Sequence, residues 1–388
     1  FFESMSGLTT TGASILGTNA LAEISDLSPA LLFWRSFTHF IGGMGIIVFS
    51  IAILPLLGIG GVQLFRAEVA GPVAEKITPR VKQTAKLLWG IYVGFILIQS
   101  LILYLEGFTW HQSFCHSFAT MATGGFSTFD TSIQGQPLYV QWTFIVFMFL
   151  AATNFTLHYF FIAKRKLVYF KDEEFKTYCF IFVSLAIIIF LNITFANLNK
   201  MTFQSFTDST FTTISLLTTT GFGTVDFATN PTWSSSQIFI FFLFFIGGTA
   251  GSTTGGIKII RTILVFKYLS YELKKLIHPK GVYNIRVGGN VVPDDVVKTT
   301  LGFYLFYIVI FVITACIFSI FGESLTTSLT ASASSIGNIG PGLGSIGPAD
   351  NWSHFPSPLK WVSALCMLLG RLEIFTVMVL FSRTFWKP

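Results

Sequence analysis

Four stretches of the chain are rich in serine and threonine, with phenylalanine in the first three, and each closes on glycine. They read FFESMSGLTTTGAS at 1–14, HQSFCHSFATMATGGFS at 111–127, SFTDSTFTTISLLTTTGFGT at 205–224 and SLTTSLTASASSIGNIGPG at 324–342. Backbone carbonyl oxygens can replace the hydration shell of a monovalent cation. Glycine permits the backbone dihedral angles that direct several carbonyls to one point. The pattern therefore predicts a cation site built from backbone oxygen.

The four stretches form an internal repeat. Their alignment makes four glycines equivalent, roughly a hundred residues apart, namely Gly12, Gly124, Gly221 and Gly337. A chance low-complexity turn would explain one such stretch, but it does not explain four in register. A short amphipathic helix before each loop would point its negative C-terminal end at the site, which favours a cation.

The acidic residues near these glycines are offset and irregular. The nearest are Glu3, Asp130 and Asp226, at different distances from the aligned glycines. A filter for divalent cations would be expected to carry a ring of Asp or Glu. The site is therefore predicted to bind a monovalent cation.

The elements that position these loops are membrane-spanning helices. The chain has 388 residues, of which 52% are hydrophobic and 11% charged, whereas soluble domains carry about a quarter charged residues. Non-helical backbone at membrane depth is tolerated only where it lines a cavity or is buried in protein. Seven spans are predicted from apolar stretches of sufficient length, at 36–65, 87–105, 138–163, 178–198, 233–257, 299–322 and 361–382.

The distribution of charge predicts the orientation of the chain. Basic residues cluster at 66–86, 164–176, 261–298 and 383–387, whereas the alternate loops carry mainly acids. The positive-inside rule places the basic loops and the C-terminus in the cytoplasm. The formal charge of +6 is thus explained without nucleic acid.

The predicted fold class is an all-α polytopic membrane protein with four non-identical helix–pore-loop–helix repeats around a pseudo-fourfold pore. The chain begins within the first motif, so we expect a fragment without its natural start and a truncated first repeat. The predicted organisation is repeat one at 1–65, a cytoplasmic linker at 66–85, repeat two at 86–166, repeat three at 167–269, a second linker at 270–298 and repeat four at 299–388.

The stretch FIGGTAGSTTGGIKIIR at 245–261 interrupts the span after the third glycine loop. A Walker loop is disfavoured because Ile257 separates Gly256 from Lys258 and no strand precedes it. A glycine kink packed against neighbouring helices remains an alternative. We predict an unwound segment beneath the filter that gates the pore through Gly247, Gly248, Gly251, Ser252, Thr253, Thr254, Gly255, Gly256 and Lys258.

Two shorter features lie in other spans. The sequence IGGMG at 41–45 predicts a helix break that close packing explains adequately. Arg371 lies deep in the last span, and such charges usually face a cavity or a partner. Glu373 is two residues away and on another helix face, so it is a poor intrahelical partner. A structural arginine buried against carbonyls remains open beside a role in the pore.

Residues capable of other chemistry are scarce. His111 and His116 flank Cys115, which suggests a metal site, but no further ligand is near in sequence and interfacial histidines are favoured. The four cysteines stand alone, so neither a disulfide framework nor a zinc site is predicted. A membrane enzyme would need more convergent groups than Arg371 and Glu373. The chain is therefore predicted not to be an enzyme.

The sequences TTTGAS, ATGGFS, TTTGFG and SIGNIGPG resemble the four filter loops of the Trk/Ktr/HKT superfamily of potassium transporters, most closely the bacterial Trk membrane subunits. The resemblance covers essentially the whole chain. The serine found at the first filter position of sodium-carrying plant relatives is absent here, which favours potassium. The resemblance implies ion-coordinating carbonyls at Thr10, Thr11, Gly12, Ala122, Thr123, Gly124, Thr219, Thr220, Gly221, Ser335, Ile336, Gly337 and Asn338.

The same resemblance implies a complete transport assembly. Potassium ions bound in the filter are the only cofactor expected in this chain. The expected partners are a second copy in a homodimer, a cytosolic nucleotide-binding subunit of the RCK type, and the lipid of a bacterial cytoplasmic (inner) membrane. The resemblance also places the intramembrane loop as a gate, and it places Arg371 in the permeation pathway. A secondary symporter that couples potassium to sodium or protons remains an alternative, although four like repeats fit it poorly.

Overall fold

The computed structural model describes residues 1–17, 20, 22–48, 81–196, 201–281, 283–380 and 385–386. The fold is helical, as predicted. The long apolar segments form helices whose lipid-compatible side chains face outward; Phe180 and Leu305 are 73% and 65% exposed. Most of the predicted 66–85 linker and of the basic cluster at 383–387 lies outside the described residues.

The described residues of the first two repeats contain six α-helices. Repeat one comprises α1 (Phe2–Leu8) and α2 (Pro29–Val48). Repeat two comprises a long outer helix, a short pore helix and a bent pair, which are α3 (Val81–Leu105), α4 (Trp110–Met121), α5 (Leu138–Ala151) and α6 (Phe155–Lys164). Each outer helix packs on the pore helix of its repeat.

The last two repeats follow the same order. Repeat three contains α7 (Glu173–Ala196), α8 (Phe203–Leu217), α9 (Gln237–Leu243) and α10 (Ile259–Ile277). A short antiparallel hairpin, β1 (Arg286–Val287) and β2 (Asn290–Val291), lies in the predicted second linker. Repeat four contains α11 (Asp294–Ile320), α12 (Leu325–Gly337), α13 (Ser357–Arg371) and α14 (Ile374–Leu380).

Three helices of the described chain are long and apolar enough to cross a membrane, namely Ala85–Leu105, Glu173–Ala196 and Asp294–Ile320. Two bent pairs, at angles of 96° for α5 and α6 and 113° for α13 and α14, raise the number to five. The predicted span at 233–257 is interrupted, as its glycine-rich segment at 245–261 predicts, because the chain leaves α9 at Phe244 and resumes helix only at Ile259. The predicted span at 36–65 lies partly outside the described residues.

The predicted break at IGGMG is absent, since α2 is helical through these residues. Its glycines serve close packing instead. A Cβ atom on Gly42 would clash with the Leu8 carbonyl, and one on Gly43 would lie 2.7 Å from Ala122 Cα. The second helix of repeat one therefore packs directly against two pore-helix ends.

Candidate ion pathway

Each of the four pore helices ends in the same backbone motif. The residue after the helical turn is left-handed, with φ between 51° and 55°, at Thr10, Thr123, Thr219 and Asn338. The next N–H donates to the carbonyl five residues earlier, at 2.9 Å for Thr11, 2.8 Å for Gly124, 2.8 Å for Thr220 and 3.0 Å for Ile339. This is a Schellman ending, which usually has glycine at the left-handed position.

Threonine at the left-handed position is strained. The left-handed conformation costs an L-residue roughly 1–2 kcal/mol, and for a β-branched side chain it is an outlier. Strain of this kind concentrates at functional sites. Three of the four repeats keep threonine where glycine would be easier, which indicates that the side chains at this position are used.

Four glycines two residues later form a closed ring. Their φ angles lie between 79° and 98°, at Gly12, Gly125, Gly221 and Gly340. A Cβ atom on any of them would collide with a carbonyl oxygen of the next repeat. The colliding oxygens belong, in the same order, to Gly124, Thr220, Ile339 and Thr11. Because the fourth contact returns to repeat one, the four loops surround one axis.

The ring corrects the predicted register in two repeats. In repeat two the glycine with positive φ is Gly125, one residue after the predicted Gly124. In repeat four it is Gly340, three residues after Gly337, because Gly337 is the last residue of α12 and retains helical geometry. Equivalent loop positions are thus Thr10–Gly12, Thr123–Gly125, Thr219–Gly221 and Asn338–Gly340.

Four of the predicted filter residues, Gly337 among them, therefore fall outside these positions. Ser335 and Ile336 lie within α12, and the Ser335 carbonyl accepts the Asn338 N–H at 3.4 Å. Ala122 matches Thr9, one residue before the left-handed position. Ile339, Gly125 and Gly340 were missed. The asparagine after α12 could have indicated the correct alignment of repeat four, because Asn tolerates the left-handed region.

A cavity of about 60 Å³ adjoins all four ring glycines on the predicted external side. Asp130 and Asp350 contribute to its wall. Burial and the neighbouring Asp226 carboxylate raise the pKa of Asp350. A nearby cation would oppose that shift by favouring the charged form of this carboxyl group. The external side of the ring is thus acidic, whereas the ring itself is uncharged.

The segment 244–258 lies across the opposite side of the ring. Its ends are joined, because Gly247 N–H donates to Ile257 O at 2.8 Å and Ile259 N–H to Gly248 O at 3.1 Å. The residues between these two hydrogen bonds therefore form a loop whose two ends lie side by side. It contains every residue predicted for the intramembrane loop, and we refer to 247–256 by that name.

The intramembrane loop contacts the pore-helix ends of three repeats. Thr123 Oγ1 donates to Thr253 O at 3.0 Å, and Gly255 N–H donates to Thr219 Oγ1 at 2.8 Å. A Cβ atom on Gly255 would lie 2.6 Å from Gly337 O. Two of the strained threonines therefore hold the loop through their hydroxyl groups.

The bend between α5 and α6 forms the other support for the loop. Ala152 O accepts both the backbone N–H of Thr249, at 3.1 Å, and its hydroxyl, at 2.9 Å. Phe155 N–H donates to Gly251 O at 3.1 Å. The bend exposes a carbonyl and an N–H that a continuous helix would use internally, and the loop satisfies both.

Arg371 is the last residue of α13 and is 5% exposed. Its guanidinium donates to Thr253 O at 2.7 Å and to Gly42 O at 2.8 Å. It thus joins the loop to the second helix of repeat one. Glu373 instead pairs with Arg261 at 2.5 Å. The carbonyl partners match the structural alternative raised above, and their position places the arginine beneath the ring.

Glu174 is a buried residue that the sequence pattern does not single out. Its Oε1 accepts the N–H of Ala250 at 2.8 Å and that of Ile260 at 3.0 Å. Lys258 forms hydrogen bonds with the carbonyl and hydroxyl oxygens of Thr254, so its ammonium group closes on its own loop. No strand precedes this lysine in the described chain, in agreement with the rejection of a phosphate-binding loop.

The suggested metal site near Cys115 is not formed. His111 Nε2 lies 2.8 Å from Pro29 O, and His116 Nε2 lies 3.2 Å from Ser127 Oγ. No cluster of three or more metal-ligating side chains occurs among the residues that the structure describes. The two histidines therefore act as hydrogen-bonding residues between loops.

Comparison with known proteins identifies the family. A family model described as TrkH, cation transport protein, matches residues 1–387. The chain is 41% identical over 392 residues to the Trk system potassium uptake protein TrkH of Vibrio parahaemolyticus, covering 100% of this chain and 79% of that protein. It is 39% identical over 391 residues to TrkH of Escherichia coli, with the same coverage.

A solved structure agrees with the sequence comparison. The crystal structure of the potassium transporter TrkH from Vibrio parahaemolyticus matches with a TM-score of 0.86 at 38% identity. The match covers 100% of this chain and 78% of that one. The apolar helices, the ring of four loops and both comparisons lead to one conclusion: the chain is an integral membrane protein of the TrkH family of cation transport proteins.

Proposed function

We propose that this chain mediates potassium uptake across a bacterial cytoplasmic membrane through a selective pore. The observation that carries the proposal is the closed ring, in which four positive-φ glycines each lie against a carbonyl of the next repeat. The names of the relatives, potassium uptake proteins of Trk systems, support the choice of ion.

The proposed filter consists of the carbonyl oxygens of the loop positions given above. Neutral carbonyls can replace the water around a monovalent cation without the strong field of a carboxylate ring. The pore helices add the negative ends of their dipoles. Asn338 Oδ1 is buried without a hydrogen-bond partner among the described residues, and it supplies a further oxygen at the inner edge.

The intramembrane loop is the proposed gate. Its position beneath the ring, in contact with the pore-helix ends and Arg371, supports this role. Arg371 adds a positive charge to the same place. By analogy with the named Trk systems, we extend the proposal to a homodimer, a cytosolic nucleotide-binding RCK-type subunit that controls opening, and a cytoplasmic C-terminus.

Ion flux into liposomes tests the proposal. Purified protein should pass potassium and rubidium down their gradients, and it should pass sodium much more slowly. Gly221→Ser should abolish this preference, because its Cβ would strike Ile339 O. Gly322→Ser is the matched control, since Gly322 also has positive φ, at 93°, but has open space around it.

Two results would redirect the proposal. Equal potassium-to-sodium ratios in the wild type and Gly221→Ser would remove the ring from the filter. Potassium flux that requires a sodium or proton gradient would identify a symporter instead of a passive pore.

A further inference from the structure

Two adjacent glutamates at the start of α7 hold different parts of the molecule. Glu173 Oε2 accepts the N–H of Gly288, in the β1–β2 turn, at 2.8 Å, and its carboxylate pairs with Lys267 of α10. Glu174 holds the intramembrane loop at Ala250 and the start of α10 at Ile260. One helix end therefore contacts the hairpin, α10 and the loop.

We propose that Glu174 is the residue that sets the resting position of the intramembrane loop, and that Glu173 couples the cytoplasmic hairpin to it through α7. Glu174 is a positioning residue, because it does not touch the ring. The inference rests on the proposed function in one respect, the role of the loop as a gate.

The contacts of Glu174 are suited to positioning. The side chain is 8% exposed, and one carboxylate oxygen receives two N–H groups at 2.8 and 3.0 Å. One side-chain oxygen thus receives two backbone N–H groups, whereas the hydroxyl groups of Thr123 and Thr219 each form one hydrogen bond with the loop. Ile260 lies in the first turn of α10, where backbone N–H groups have no partner within the helix. Glu174 thus fastens the loop and the following helix to the same point.

The contacts of Glu173 reach the cytoplasmic surface. Its side chain is 36% exposed, and that of Lys267 is 33% exposed. Exposed ion pairs contribute little to folding stability, so their loss should leave the protein folded. Glu173 and Glu174 are consecutive residues of one helix. A displacement of the hairpin at Gly288 is therefore transmitted to the loop by rotation or shift of α7.

Accessibility of the loop to a thiol reagent tests the inference independently of flux. Ser252→Cys places a probe at a position that is 3% exposed, in protein whose four native cysteines have been replaced. A charged, membrane-impermeant reagent is applied from the cytoplasmic side, and potassium flux is measured on the same liposomes. The variants are Glu174→Ala, Glu174→Gln, Glu173→Gln and the control Glu272→Gln on α10.

Glu174→Ala removes two hydrogen bonds to a buried acceptor, so labelling and basal flux should each rise at least about tenfold. Glu174→Gln keeps one acceptor oxygen. Its increases in labelling and in basal flux should therefore be several-fold smaller than those of Glu174→Ala. Glu173→Gln should raise labelling about two- to threefold, since an exposed pair is weaker. Glu272, whose partner is Tyr268, should have no effect. Potassium-to-sodium ratios should remain unchanged throughout.

Each outcome decides one part of the inference. Unchanged labelling in folded Glu174→Ala, or in Glu174→Gln if the alanine variant does not fold, overturns the positioning role. Unchanged labelling in Glu173→Gln overturns the coupling alone. Increased labelling without increased flux supports the positioning role and instead refutes the loop as a gate.

Discussion

The ring of loops and the layer beneath it differ in how the four repeats are used. In the ring, the left-handed residues agree in φ within 51° to 55°, and the glycines lie between 79° and 98°. In the layer beneath, the second helix of each repeat has its own form. That helix is unbroken in repeat one as far as Val48, the last residue described there. It is bent by 96° in repeat two, interrupted by the loop in repeat three and bent by 113° in repeat four.

This contrast follows from what each layer would do in the proposed function. A cation stripped of water needs similar oxygens on all sides, so each repeat has to present the same backbone. A segment that lies across an axis can be supplied by only one repeat, and the others have to support it. The bend at 152–154 and Arg371 do so with carbonyl and guanidinium groups. A single chain with four unequal repeats can satisfy both requirements.

The largest effect is expected from disturbing the ring at its corrected register. Gly340→Ala would place a methyl group 2.5 Å from Thr11 O on a backbone with φ of 98°, so selective potassium conduction should be lost. Gly337→Ala is the matched variant within α12, where its methyl group would meet the flexible end of Ile339 at 3.0 Å and Phe244 O at 3.1 Å. That variant should conduct with nearly normal selectivity. Flux measurements that rank the two variants in the reverse order would restore the original alignment.

The sequence was sufficient to predict a ring of four loops. It was insufficient to show which residues of the four loops are equivalent. Hydroxyl-rich runs before glycine repeat four times. The register failed in repeat four because SIGNIGPG contains three glycines. Which of them has positive φ depends on where α12 ends. Asn338 marks that end, but its role becomes evident only from contacts with Thr11 and Met367.

The layer beneath the ring was predicted less completely, because its contacts join distant parts of the chain. The glycine content of 245–261 indicated an unwound segment, and Arg371 was noticeable as a charge in a span. By contrast, Glu174 belongs to an acidic pair at a helix start, a common pattern that is explained by the helix dipole alone. Its partners Ala250 and Ile260 are 76 and 86 residues away. No local pattern reports such a contact.

The second-largest effect is expected from shortening the loop. Removing residues 249–254 should raise basal potassium flux by at least about tenfold, because the hydrogen bonds that hold the loop at Ala152 and Thr123 disappear. The flanking chain is already joined by the Gly247–Ile257 hydrogen bond at 2.8 Å, so a short connection can close the gap. Selectivity should be unchanged. A folded deletion variant with wild-type flux would show that 249–254 does not obstruct the pore.

A smaller increase is expected from Arg371→Ala. A unit charge about 7 Å from a potassium ion costs about 2 kcal/mol at an effective dielectric constant near 20, which corresponds to up to roughly thirtyfold in rate. The same change frees Thr253 O from a 2.7 Å hydrogen bond. Flux should therefore rise, with ion preference unchanged.

Arg371→Lys separates the two contributions, since it keeps the charge but cannot reach both carbonyls with one planar group. Flux near the wild-type level in the lysine variant indicates an electrostatic barrier. Flux near that of the alanine variant indicates that Arg371 acts by holding the loop through its hydrogen bond to Thr253 O. Thermal unfolding of both variants provides the control. A destabilised alanine variant with lower flux would leave Arg371 with a purely structural role.

The smallest effect is expected from removing the hydroxyl group of Thr219, compared with that of Thr10. The two threonines occupy equivalent positions in the ring loops but differ in their contacts below the ring. Thr219 accepts the Gly255 N–H at 2.8 Å, whereas Thr10 Oγ1 has no hydrogen-bond partner among the described residues. Valine preserves the shape and the β-branched strain of either residue and removes only the hydroxyl. Loss of one neutral hydrogen bond is worth about 1 kcal/mol, so Thr219→Val should raise basal flux about fivefold. Thr10→Val should change it less than about twofold, and both variants should keep their potassium-to-sodium ratio because every ring carbonyl remains. Equal increases in the two variants would mean that the hydroxyls act on the ion from the ring itself, and the separation of the two layers would then fail.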